Sequence, residues 1–191
     1  VTRHASRRRA REETVWFPDH FVTQRLLLRP IEWDDAPAIF SGYAQDQEVT
    51  RYLTWTPHRT IDDTHGYIGA CIAEARRGGK TYVIVSQSTG QVAGAFEVRK
   101  PEPHRLAFGY VLARPLWGQG LMTEALAEVV AWGMRQDGIW RIESLCDTEN
   151  LASARVMEKV DLRREGILRR CLIHPNISPD PRDCFSYART R

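Results

Sequence analysis

The stretch WGQGLMTEA, 117–125, sets Gly118 and Gly120 directly before a helix-like run that opens near Thr123. An apolar, strand-like run, 106–112, stands just ahead of it. Strand, glycine turn and helix together suit a phosphate. Glycine has no Cβ to keep a ligand off the backbone. The free N–H groups of a helix's first turn face outward, with the positive end of the helix dipole behind them. Two glycines before a helix also serve simply as a tight turn, so the rest of the chain must decide. The full P-loop pattern GxxxxGK[ST] does not occur. A Rossmann fingerprint needs a third glycine where Thr123 stands. Any phosphate bound at this loop belongs to a different kind of ligand.

Composition narrows the classes further. A chain of 191 residues with 42% hydrophobic content fits one domain with a proper core. The formal charge of +3 is unevenly placed. Arg3, Arg7, Arg8, Arg9 and Arg11 against Glu12 and Glu13 put the whole excess in the first 13 residues and leave the body neutral. A nucleic-acid surface is therefore not expected outside that tail. Residues 1–20 read as a basic, flexible tail, and 21–191 as the domain. No signal peptide or membrane span is expected, because no apolar run is long enough. Cys71, Cys146, Cys171 and Cys184 are widely spaced and read as reduced thiols of a cytoplasmic protein. The six histidines show no metal-ligand spacing, and no metal is expected.

The elements around the loop follow from periodicity and punctuation. A strand is expected at 23–29, ending at Pro30. A helix runs from a cap at Asp34 or Asp35 to about Tyr43, and a short helical piece covers 48–53. Thr60 caps a helix over 61–77, with Asp62 and Asp63 in its first turn and Gly78-Gly79 at its end. Strands at 82–86 and 92–99 form a hairpin about STGQ, 88–91. After strand 106–112 and the loop, Leu126, Val129, Val130 and Gly133 give the next helix, reaching about Gln136, a buried stripe. A strand at 139–146, a helix at 151–160 capped by Asn150, and strands at 164–173 and 184–189 complete the order. Three consecutive strands before the loop predict a mixed sheet with hairpins, not a doubly wound parallel one.

This order, the run GQGLMTEA and the later DTENLASARVMEKV resemble the GNAT superfamily of acetyl-CoA-dependent N-acetyltransferases. Within it the chain is most similar to RimJ/RimL-type enzymes, which acetylate protein N-termini. The resemblance spans 23–190 and rests on FGYVL at 108–112, the glycine loop, and Asn150-x-x-Ser153 followed by Glu158-Lys159. It implies an α/β fold with a central, mostly antiparallel, splayed sheet flanked by helices. The family's loop is usually Q/R-x-x-G-x-G/A; here the positions are Trp117, Gly118, Gln119, Gly120, Leu121 and Met122. Trp117 replaces the polar residue and Met122 the second small one, which alters the fit at a diphosphate. Asp161 and Leu162 stand where the family has Gly-Phe.

Acetyl transfer needs a held thioester, a neutral amine, an oxyanion donor and a proton for the leaving thiolate. The resemblance assigns the diphosphate to backbone amides from Gln119 to Thr123. It sets the pantetheine arm between strands 106–112 and 139–146, and makes an amide near Val111 or Leu112 the oxyanion donor. Asn150 reads as a helix cap, as a pantetheine contact by resemblance, or as both. Ser153 is, by resemblance, the candidate acid at sulfur. Glu97, a charge in the apolar strand VAGAFEV, is a candidate base, and Asp183 a second. Tyr187 and Tyr110 are candidate donors to the leaving group.

The expectation is an acetyltransferase acting in a ternary complex, as a monomer or homodimer. Its acceptor is a protein or peptide N-terminus. The alternatives are a small amine such as an aminoglycoside or polyamine, or a non-catalytic acyl-CoA-binding module.

Overall fold

A computed structural model describes residues 17–191. The basic tail expected over 1–20 lies outside the described residues up to position 16. Phe17 and Pro18 contact the body, while Asp19 and His20 are exposed. Phe17 meets Trp132 with ring centroids 5.9 Å apart. The Pro18 carbonyl accepts hydrogen bonds from Lys80 Nζ at 2.8 Å and the Tyr82 hydroxyl at 2.6 Å.

Eight strands form one sheet: β1 (Phe21–Val22), β2 (Leu26–Pro30), β3 (Gly79–Ser86), β4 (Val92–Glu102), β5 (Arg105–Leu112), β6 (Arg141–Asp147), β7 (Arg163–Leu172) and β8 (Arg182–Thr190). Their spatial order is β1-β2-β3-β4-β5-β6-β8-β7, and every neighbouring pair is antiparallel except β5 and β6. The mixed sheet with hairpins expected from the three consecutive strands is present, and it is mostly antiparallel, as the family resemblance implied. The two-residue β1 was not expected; it is too short to show alternation.

Three helical segments lie between β2 and β3: α1 (Ala36–Ile39), α2 (Gln47–Thr50) and α3 (Ile61–Glu74). Helix α4 (Leu121–Arg135) follows β5, and α5 (Leu151–Glu158) follows β6. The expected helix near 34–43 is broken into a 3-10 turn, the short α1 and a π turn at 40–44. Helix α3 starts as its caps predict. Thr60 Oγ1 accepts from the Asp63 amide, and Asp63 Oδ2 accepts from the Thr60 amide at 2.9 Å. Gly78 stops the following 3-10 turn in the left-handed region, φ 87°.

Each sheet face carries its own core. Phe96, Phe108, Leu126, Val130 and Ile142 belong to the cluster on the α4–α5 face. Ile39, Tyr43, Ile68, Val83 and Ala95 belong to the cluster on the α1–α3 face. The strict alternation of a strand assigns them, as Tyr82 and Ile84 go to one cluster and Val83 to the other. Fully burying such side chains contributes about 1.5–3 kcal/mol each. No helix among the described residues is long and apolar enough to cross a membrane.

Two glycines set how closely the central layers approach. A Cβ on Gly133 in α4 would sit 2.5 Å from Ile142 Cδ1 and 3.0 Å from Leu106 Cδ1. A Cβ on Gly94 in β4 would run into the Val111 carbonyl oxygen and lie 3.0 Å from Leu112 Cα, both backbone atoms of β5. Gly94→Ala is expected to displace the end of β5 and destabilise the fold by about 1–3 kcal/mol, read by urea unfolding. Gly109→Ala is the control in the same sheet, since its Cβ would meet only Glu97 Oε2 at 3.9 Å. Equal stability of the two variants would contradict this account of Gly94.

Candidate active site

The site begins where β5 and β6 part. They pair in parallel at only three positions, Arg105 with Arg141, Leu106 with Ile142, and Ala107 with Glu143. Past these, the Ser144 hydroxyl reaches across to the Phe108 carbonyl at 2.8 Å. Beyond that link lies a cavity of about 1610 Å³. It is lined by members of both cores, Tyr110, Cys146 and Val156 from one face and Ala95, Trp55 and Tyr67 from the other. The cavity therefore passes through the sheet at the gap between β5 and β6. This is the wedge expected between the strands at 106–112 and 139–146.

The glycine loop forms one end of the wall. Gly118, Gly120, Leu121, Met122 and Thr123 all line the cavity. Gly118 and Gly120 both have φ 75°, a conformation that other residues adopt at a cost. Helix α4 starts at Leu121, two residues earlier than its periodicity suggested. Gly120 is its N-cap, so no side chain satisfies the first amides. A 15-residue helix with a bare N-terminus on a cavity wall is suited to an anion. Trp117, at the family's polar position, donates Nε1–H to the Leu112 carbonyl at 2.7 Å and pins the loop to the end of β5. Gln119 turns inward on the loop, its amide bonded to the Pro115 carbonyl at 3.0 Å.

Glu124 braces this loop, a role that sequence reading missed. One oxygen accepts from Thr23 Oγ1 at 2.6 Å and the Arg25 amide at 2.8 Å, and the other from Arg25 Nε at 2.7 Å. Arg25 Nη1 in turn donates to the Gln119 carbonyl at 3.0 Å. Burial works to raise the Glu124 carboxyl, but the bonds from Thr23 and Arg25 outweigh it and hold it below the usual carboxylate range. In the sequence, Glu124 reads only as an acid in the first turn of a helix. Its partners lie about 100 residues away, and no local signal names them.

The candidate catalytic residues are not all brought together. Asn150 Oδ1 accepts from the Ser153 amide at 3.1 Å, the cap geometry, and both residues line the cavity. The Ser153 and Tyr110 hydroxyls are 2.9 Å apart. Burial pushes the Tyr110 hydroxyl well above its ordinary pKa, so it stays protonated. Glu97, on β4 opposite Gly109 of β5, is half-buried and lines the cavity on the α3 face. Burial raises its carboxyl; Arg99, at 3.6 Å, partly offsets this and Glu74 adds to it. Val111 and Leu112 line the cavity on β5.

Tyr187 does not reach the cavity. It is fully buried in the α4–α5 core and donates to Glu158 Oε1 at 2.7 Å, while its neighbour Ser186 lines the cavity. Alternation along β8 turns it away. Asp183 is also absent from the lining, held by the Arg170 amide at 3.0 Å and Arg169 Nη1 at 3.3 Å. All four cysteines are free thiols. Cys146, in the wedge, is pushed up to about 12 by burial and so remains protonated.

With this geometry in view, comparison with known proteins places the chain. Residues 25–163 match the acetyltransferase (GNAT) domain family. The uncharacterized N-acetyltransferase YoaA of Bacillus subtilis (strain 168) is 30% identical over 173 residues, covering 88% of this chain and 96% of that protein. A GNAT-family acetyltransferase structure from Bacillus anthracis superposes with a TM-score of 0.78 at 26% identity, covering 90% of this chain and 98% of the other. RimL, a ribosomal L7/L12 alpha-N-protein acetyltransferase solved with coenzyme A, shares the fold with a TM-score of 0.77 at 24% identity, covering 89% and 96%. The chain belongs to the GNAT acetyltransferase family, and it is an N-acetyltransferase.

The glycine start of α4 yields a direct prediction. Gly120→Asp sets a carboxylate against the bare amides. It should weaken coenzyme A binding by about tenfold or more, which is about 1.4 kcal/mol, in titration calorimetry. Gly120→Ala carries the same backbone strain without the charge and should lose less. Unchanged affinity in both variants would place the phosphate site elsewhere.

Proposed function

We propose that this chain transfers the acetyl group of acetyl-CoA to the α-amino group of a protein or peptide N-terminus, by direct attack in a ternary complex. The observation that carries this reading is the wedge itself. Its wall holds a bare, glycine-led helix start at one end and the Ser153–Tyr110 hydroxyl pair at the other. The diphosphate binds the amides of residues 119–123, and the pantetheine arm lies in the opened strand gap beside Asn150. A backbone amide at Val111 or Leu112 polarises the thioester carbonyl. The acceptor comes from the opposite face, past Tyr67, Trp55 and Glu97.

The amine nitrogen attacks the carbonyl carbon, and the tetrahedral centre collapses with loss of the thiolate. Ser153 gives the sulfur its proton and is resupplied by the Tyr110 hydroxyl beside it. Glu97 draws the amine in and guides its proton out. No metal takes part in this scheme.

Two segments that could wall an acceptor, 52–60 and 174–183, are tied together. Asn176 Nδ2 donates to the Thr50 carbonyl at 2.7 Å and the Trp55 carbonyl at 2.8 Å. Trp55 and His58 on the first of them cluster with Tyr67 of α3, with ring centroids 4.8–5.8 Å apart. This wall suits an extended backbone, and the fold shared with RimL supports a protein α-amine. An α-amine also titrates near pKa ~7.7 against ~10.4 for lysine. More of it is neutral, which favours it at a site with a weak base.

Ser153→Ala and Glu97→Gln should each lower kcat by about 10²-fold or more while leaving acetyl-CoA affinity nearly unchanged. Wild-type turnover in both would remove these roles.

The acceptor is tested by competition. An Ala-starting peptide should be acetylated in preference to the same peptide blocked at its N-terminus and carrying a free lysine. Faster turnover of the blocked peptide, or of an aminoglycoside over both, would reject the α-amine reading and favour the small-amine one.

A further inference from the structure

One buried group on the cavity wall has no part in the scheme above. His174, in the loop from β7 to β8, lines the cavity and is 3% exposed. Neither ring nitrogen has a hydrogen-bond partner. Buried polar atoms are nearly always paired, so two unmet nitrogens on a ring that belongs to the cavity wall call for a partner.

The surroundings of the ring are built. Nε2 lies 3.7 Å from Oδ2 of Asp147, a carboxylate 1% exposed at the end of β6. Asp147 accepts from Arg182 Nε at 2.5 Å and Nη2 at 3.2 Å, and from the Glu149 amide at 2.9 Å. Burial works to raise this carboxyl, but the Arg182 and Glu149 bonds prevail and keep it ionised. Arg182 also pairs with Glu149 at 3.0 Å. The edge of Tyr52 meets the imidazole, with centroids 6.3 Å apart. Asp147 on β6, Glu149 ahead of α5, Arg182 on β8 and Tyr52 after α2 are thus the charged and titratable groups about His174.

Its level along the wedge is also informative. The last β5–β6 pair is Ala107 with Glu143, and Val111 and Asp147 each follow four residues beyond it on their own strands. Val111 is one of the two positions assigned to the oxyanion amide. The imidazole, next to Asp147, stands on the β6–β8 side of the gap, and Glu97 stands on the β4 side.

We infer that His174, beside Asp147, takes up the proton that Glu97 guides out of the acceptor amine; this rests on the transferase reading above. As the neutral amine bonds to the acetyl carbon, one N–H proton passes to an imidazole nitrogen, and the Asp147 carboxylate stabilises the imidazolium. The C–S bond breaks with its electron pair on sulfur, which takes the Ser153 proton. The proton on the imidazolium then returns through water to the serine–tyrosine pair, so each group ends as it began.

The test compares wild type with His174→Gln, which can hydrogen-bond but has no basic nitrogen to take up a proton. Thiol release from acetyl-CoA with an Ala-starting peptide is followed across pH. The variant should keep its melting temperature and coenzyme A affinity and lose about 10²-fold or more in kcat/KM. The loss should fall on kcat, with the KM for the peptide little changed. Wild-type kcat in the variant would overturn the inference alone, and absence of thiol release by wild type with any amine would remove both it and the transferase reading. Should the variant fail to fold, the His174 imidazole NMR signals of wild type serve instead. They should shift on saturation with the peptide, and no shift under saturation would overturn the inference.

Discussion

The structure depends on one broken pairing. A parallel strand pair normally continues its hydrogen bonds along its length, but β5 and β6 share only three paired positions before they separate. Opening a sheet at its centre exposes backbone groups that must find other partners. Some are met within the chain, by the Ser144 hydroxyl on the Phe108 carbonyl and the Trp117 indole on the Leu112 carbonyl. The rest face a cavity that runs from one face of the sheet to the other. A ligand with an extended, amide-bearing arm fits such an opening because it can replace the missing strand. In the proposed reaction the wedge joins the two halves of an acyl transfer, with the donor on the α4–α5 face and the acceptor on the α1–α3 face.

Holding that opening requires stiffness on both sides. On the β5 side, β4 approaches so closely at Gly94 that a single methyl group would meet the β5 backbone. Trp117 ties the loop to the same strand end. The start of α4 is fixed by Glu124, which gathers Thr23 and Arg25 from the beginning of the sheet. On the β6 side, Arg182 grips Asp147, and Asn176 ties the loop after β7 to the segment after α2. These interactions link elements far apart in the chain, so the glycine loop and the acceptor wall are held by the whole fold and not by their own turns.

Electrostatics follow the same division. Burial keeps the Tyr110 and Cys146 protons in place on the donor side. On the acceptor side two carboxylates have opposite environments. Glu97 is raised by burial, with only Arg99 to offset it, whereas Asp147 is held down by Arg182. Two acids driven in opposite directions at one cavity suit proton handling on that side.

Most of the fold and the glycine-led start of α4 on the cavity wall were legible in the sequence, because both are local. The capping box at Thr60, the left-handed stop at Gly78, the alternation of the strands and the buried stripe of α4 each depend on residues within a few positions of one another. Gly118 and Gly120 announced themselves for the same reason, and so did the Asn150 cap. What only the tertiary structure decided depended on which face of the sheet met the cavity and on partners remote in sequence. Tyr187 and Ser186 are adjacent, yet only Ser186 lines the cavity, since alternation says that they differ but not which one turns in. Gly94 looked like a plain strand glycine until β5 was laid against it. Glu124 found its partners about 100 residues away, and His174 met Asp147 only through the return of β8 beside β6. Local physics writes elements and turns into a sequence; the choice of face and the long-range pairings arise only when the sheet is assembled.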